Sequence, residues 1–244
     1  MTTVILTEAA FIALLPPGIF LFFVLDRYTA PRVPESVFEE FKVLVAFIVG
    51  IPAGLPLALL FLTFAGSVQG GNLLGGLIYL LFFVAVANLE RIVFLRFRTF
   101  SGTDTRSRKA AFYALGFGTG NAVSVLLAAA NLALGVATTV DSVVLMSLLS
   151  VAMALLEGWG GLRFAAAHAR GASVLAVLAV ETFALVAIAP IYGGLGYTEI
   201  AVLAGLIAVL LLLVVRDEER YLRPLLKPRA TRDSAKPFGR TGSS

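Results

Sequence analysis

Long apolar runs separated by short polar or glycine- and proline-bearing stretches set the pattern of this chain. A helix needs roughly 20 mostly apolar residues to cross a bilayer core. Seven runs meet or approach that length: Val4–Leu25, Val43–Phe64, Leu73–Leu95, Ala110–Leu134, Val143–Leu162, Ala172–Pro190 and Ile200–Val215. Barrel strands would be shorter and would alternate in polarity, which these runs do not. The pattern therefore predicts an all-α fold, a polytopic transmembrane bundle of about seven helices. The first run is no cleavable signal peptide, because it lacks a basic leader and a small-residue cleavage site, and Pro16-Pro17 interrupts it. Pro52 and Pro56 predict a kink in the second helix, and Pro190 predicts the end of the sixth. The pairs Gly50 with Gly54 and Gly71 with Gly75 predict close helix packing.

Charge gives the bundle a direction. The 19 basic residues gather in the first loop (Arg27, Arg32, Lys42), around the end of helix 3 and the third loop (Arg91 to Lys109), in the fifth loop (Arg163, Arg170) and in the tail from Arg216. The N-terminus and the second, fourth and sixth loops carry none. Basic residues stay cytoplasmic, so the N-terminus is expected outside and the C-terminus inside. That sidedness needs an odd number of spans, in agreement with seven. The predicted organisation is a membrane domain over 1–215 and a flexible basic cytoplasmic tail over 216–244. The tail can lie on anionic headgroups, at about 1 kcal/mol per basic residue near the surface. It lacks the stacking aromatics and motifs of nucleic-acid binding.

Composition narrows the chemistry. Of 244 residues, 59% are apolar and 14% charged, against about half and a quarter in a soluble domain. A soluble globular protein is excluded, and the expected location is the cell membrane, as a multi-pass protein. Cysteine is absent, which removes disulfides, thiol nucleophiles and thiolate metal sites. The single histidine, His168, falls in the predicted fifth loop near the membrane surface. No Gly-x-Ser-x-Gly and no nucleotide-binding glycine loop occurs.

Polar groups inside the spans are the candidate site residues, because an intramembrane acid is costly and needs a partner, a proton or a cavity. Glu181 lies near the centre of helix 6, Glu157 one to two turns from the inner end of helix 5, and Glu90 near the inner end of helix 3, beside Arg91. Glu90 can equally pair locally or reach the interface. Helix 4 carries Asn121, Ser124 and Asn131 on one face, a stripe that serves either helix packing or a hydrophilic pocket built with the glutamates.

The chain has a proline-containing first helix with Leu14-Leu15-Pro16-Pro17, an Asp26-Arg27-Tyr28 turn and a Pro34-Glu35 loop, followed by the Glu90 and Gly116–Asn121 segments. The order of these segments resembles the PrsW family of intramembrane proteases. Asn88-Leu89-Glu90-Arg91 then stands where the family has a Glu-Glu-x-x-Lys motif. Gly116-Phe117-Gly118-Thr119-Gly120-Asn121 stands where it has a glycine-rich Phe-x-x-x-Glu motif. The resemblance spans about residues 11–190 and implies an active site where acids and histidines activate water, with or without a metal. The departures are specific. One acid of the pair is missing, Asn121 replaces the second motif's glutamate, and helices 5 and 6 offer Glu157 and Glu181 but no histidine. Carboxylates with an amide suit a hard divalent cation better than zinc, and no other cofactor is implied. Three expectations follow: a PrsW-like protein with an eroded site that binds membrane segments of other proteins, an active glutamate-dependent intramembrane protease, or a small transporter or channel.

Overall fold

The structure is a computed structural model that describes residues 2–28, 39–97, 106–136, 140–169, 175–188, 197–217 and 220. Among the described residues there are eight helices and no strand. The all-α expectation holds at that level. Four helices are long and apolar enough to cross a membrane, or five when one bent pair counts as a single span. Large apolar side chains cover the outside, with Phe22, Phe41, Leu59, Leu74, Phe183 and Leu212 each about two-thirds or more exposed. So much apolar surface is unsuited to water and matches lipid, which marks the chain as an integral membrane protein.

The prolines show how the sequence shapes the first two spans. Helix α1 (Thr2–Asp26) runs through Pro16 and Pro17 without ending, although the pair reads as an interruption. Pro16 has no N–H for the carbonyl of Ile12 one turn earlier. The Ser150 hydroxyl donates to that carbonyl instead, at 2.5 Å. A freed carbonyl in hydrocarbon must find such a donor. The second run divides into α2 (Glu40–Ala53) and α3 (Leu55–Gln69), bent by 46° at Gly54. Pro56 sits in the first turn of α3, where no intrahelical donor is required. Gly54 N–H donates to Gly50 O at 2.8 Å, and the Ser124 hydroxyl donates to Ile51 O at the break. Gly71, with φ +75°, makes the turn into α4 (Leu73–Arg96), which Asn72 caps by accepting from Gly75 N–H at 2.9 Å. Gly71 and Gly75 thus serve a turn and a cap, whereas Gly50 and Gly54 do serve packing.

The centre of the bundle is α5 (Arg106–Val136), packed on α1, α2, α3 and α6 (Val140–Ala169). Its span Lys109–Asn131 is 94% buried, against 28% for the span in α1. Glycines allow this centrality. A side chain on Gly120 would strike the Phe47 carbonyl, and one on Gly118 the Glu157 carbonyl. Helix α6 continues to Ala169, so His168 lies in its last turn, not in a loop. The set ends with α7 (Leu175–Ile188) and α8 (Tyr197–Asp217). Pro190 lies outside the described residues, two positions after the end of α7.

The end of α8 is fastened to α6. Trp159 Nε1 donates to Asp217 Oδ2 at 2.8 Å, and Arg163 Nε lies 3.7 Å from the same oxygen. Asp217, expected in the tail, is buried and belongs to the helical body. The tail beyond it, apart from Arg220, lies outside the described residues. Trp159→Phe keeps an aromatic side chain, though a smaller one, and removes the donor to a buried carboxylate, which costs about 1–3 kcal/mol. The expected result is a lower unfolding midpoint together with faster amide exchange in the last turn of α8. Unchanged exchange there would show that the bond does not hold the helix end.

Candidate functional site

The polar centre is built around Arg91. The repeat of α4 puts Asn88 and Arg91 on one face, three residues apart, and turns Glu90 toward another. Arg91 is fully buried, and so, within a few per cent, are Asn88, Glu157 and Glu181. Its Nη2 donates to Glu157 Oε2 of α6 at 2.6 Å, and its Nη1 donates to Glu181 Oε1 of α7. Asn88 completes the cluster. Its Oδ1 lies 3.3 Å from Arg91 Nη1, and its Nδ2 donates to Glu181 Oε2 at 2.8 Å and to Val84 O at 2.8 Å. Both oxygens of Glu181 are therefore engaged. Gly160, three residues after Glu157, makes room for the guanidinium, since a Cβ there would lie 2.7 Å from Arg91 Nη2.

Glu90 stands beside this cluster, not in it. It is half-buried, and its Oε2 accepts from Asn121 Nδ2 of α5 at 3.0 Å. The two motif positions therefore touch across α4 and α5. Among the described residues, two buried side-chain polar atoms have no hydrogen-bond partner: Arg91 Nε and Asn121 Oδ1. Ser124 is spent on the α2–α3 break. Asn131, expected to share the polar pocket, instead donates to Leu127 O of its own helix at 2.8 Å and does not join the site.

Of the candidates, Glu157 and Glu181 are brought together through Arg91, and Glu90 meets Asn121. Arg91 and Asn88 are site residues that the sequence reading did not single out. Counting Arg91 with the cytoplasmic basic residues is corrected by its complete burial. The arrangement does not fit a protein-held metal. Among the described residues no three His, Asp or Glu come together to hold one, and a guanidinium occupies the space between the two carboxylates. A cation also removes the free carboxylate that a general base needs, because each acid is already an acceptor in a charge-assisted bond.

Comparison with protein-family models, with curated proteins and with solved structures gives no match.

Proposed function

We propose that this chain is a PrsW-like integral membrane protein without hydrolytic activity, which binds membrane segments of other proteins. The single observation that carries this reading is the occupation of Glu157 and Glu181 by Arg91. Two acids that would have to activate water are locked into a buried ion cluster. Glu90 and Asn121, which stand at the two motif positions of the resemblance, are in contact with each other. The absence of a histidine from α7 and from the membrane part of α6 supports the loss of activity. The reading includes seven spans, an outer N-terminus, a cytoplasmic C-terminus and a basic tail resting on anionic lipid.

The test uses the full chain in liposomes with a panel of labelled single-span segments. Stable co-reconstitution of a subset, without cleavage products, is the expected result. Cleavage that disappears in Glu90→Gln or Glu181→Gln would replace this reading with an active glutamate-dependent protease. A second reading, a small transporter or channel, is favoured by one observation, the 46° break between α2 and α3 beside Asn121 and Ser124. Discontinuous helices line ion sites in transporters. Ion flux in proteoliposomes that depends on Asn121 would support it.

A further inference from the structure

We infer that the Glu90–Asn121 pair is a proton-binding site placed against the break between α2 and α3. The first support is the position of Glu90. It lies within the span Leu74–Arg96, half-buried, and among the described residues it makes no ion pair. Its neighbour Arg91 turns to the opposite acids and is consumed there. One guanidinium thus serves two carboxyl groups, and Glu90 has no bond to it. A carboxylate held in a bilayer without its own counter-ion is costly, and a proton removes that charge while needing only one further acceptor.

The second support supplies that acceptor. Asn121 is fully buried, its Nδ2 donates to Glu90, and its Oδ1 has no partner. An amide beside a carboxylate presents its N–H; beside a carboxylic acid it can present its C=O after a half-turn. The site therefore offers a donor to the ionised acid and an unused acceptor to the O–H of the protonated one. Proton uptake from water forms an O–H bond on Glu90 and breaks no other covalent bond.

The third support places the site against the break. The backbone of Asn121 lies against Gly54 at the break, where a Cβ would come 2.7 Å from the Asn121 carbonyl oxygen and 2.8 Å from its Cα. The site thus shares its helix backbone contact with the break, so the proton sits one residue's width from it. The groups around Glu90 are few. Helix α4 packs on α3, α5, α6 and α7. Arg91 of its own helix and Glu157 of α6 act on Glu90 through space, and Asn121 of α5 bonds to it. Helix α3 carries no ionisable residue, and Glu181 of α7 is held by Arg91 and Asn88.

The experiment is infrared spectroscopy of the full chain in nanodiscs through a pH titration, with carboxyl-13C glutamate. The expected signal is the C=O stretch of a protonated carboxyl, separate in frequency from the band of the exposed glutamates, that grows as the pH falls and shifts in D2O. It is lost in Glu90→Gln and kept in Glu40→Gln, an exposed control. In Asn121→Leu its midpoint moves by about one pH unit or more, because the lost bond to the charged form is stronger than the lost bond to the neutral form. Glu90→Asp covers a failure of the glutamine variant to fold, since the titrating band must then lose its isotope shift. A wild type without a titrating protonated-carboxyl band overturns the inference. So does a band that survives Glu90→Gln, keeps its isotope shift in Glu90→Asp, or keeps its midpoint in Asn121→Leu.

Discussion

Arg91→Met is expected to destabilise the bundle more than any other single substitution at the site. The side chain is fully buried and bonds to acids from two other helices. Breaking one buried ion pair by removing a partner costs about 3–5 kcal/mol, because the remaining charge is left uncompensated. Here a single change strands Glu157 and Glu181 together. A loss of at least that size is a large part of the roughly 5–15 kcal/mol that holds a typical domain. The check is the denaturant midpoint of purified protein in detergent, with the yield of monodisperse material. Arg91→Lys should recover only part of the loss, since one ammonium lacks the fork that serves two carboxylates at once. The triple change Arg91→Met, Glu157→Leu and Glu181→Leu should recover most of it, because apolar replacement of a whole buried ion cluster is often neutral or stabilising. A single Arg91→Met variant within about 1 kcal/mol of wild type would contradict the cluster's structural role.

The same arginine shows what a sequence can and cannot reveal. The helical class is written in run length, and the bend at Gly54 in the prolines around it. The donors that serve the carbonyl freed by Pro16 and the carbonyl at the α2–α3 break are not legible, because Ser150 lies 138 positions from Ile12 and Ser124 lies 73 from Ile51. Arg91 is absorbed by the rule for cytoplasmic basic residues, since it stands near a helix end. A finer signal was present. It is the one basic residue inside any of the seven apolar runs, three positions after Asn88. An intramembrane cation demands an acid, and Glu157 and Glu181 were already candidates. Their pairing needs the rotation of three helices across separations of 66 and 90 residues. Hydrophobic periodicity cannot supply that rotation when helices are apolar on nearly every face. Asn131 fails to join the site for a local reason: its amide reaches the carbonyl one turn back in its own helix.

Gly120→Val is the second large effect. At Gly120 the backbones of α5 and α2 approach so closely that an added Cβ would meet the Phe47 carbonyl, with Gly50 Cα at 3.0 Å and Ile51 N at 3.1 Å. These are backbone atoms, so no side chain can rotate away, and α2 must move as a unit. Overpacking of a well-packed core commonly costs about 1–3 kcal/mol. A β-branched residue at a helix contact with no space reaches or exceeds the upper end. The displacement also opens the contact between Ser124 and Ile51, which satisfies the carbonyl at the α2–α3 break. Small residues at such contacts replace the hydrophobic driving force that lipid cannot give between helices. Gly18→Ala is the matched control, since a Cβ there has nothing within 4 Å. The expected outcome is a strongly lowered unfolding midpoint for Gly120→Val and an unchanged or slightly raised one for Gly18→Ala. Gly50→Ala combined with Gly120→Ala should be worse than either alone, because both methyl groups would compete for one gap. Equal tolerance of valine at Gly120 and alanine at Gly18 would mean that α2 and α5 do not make this backbone contact in the membrane.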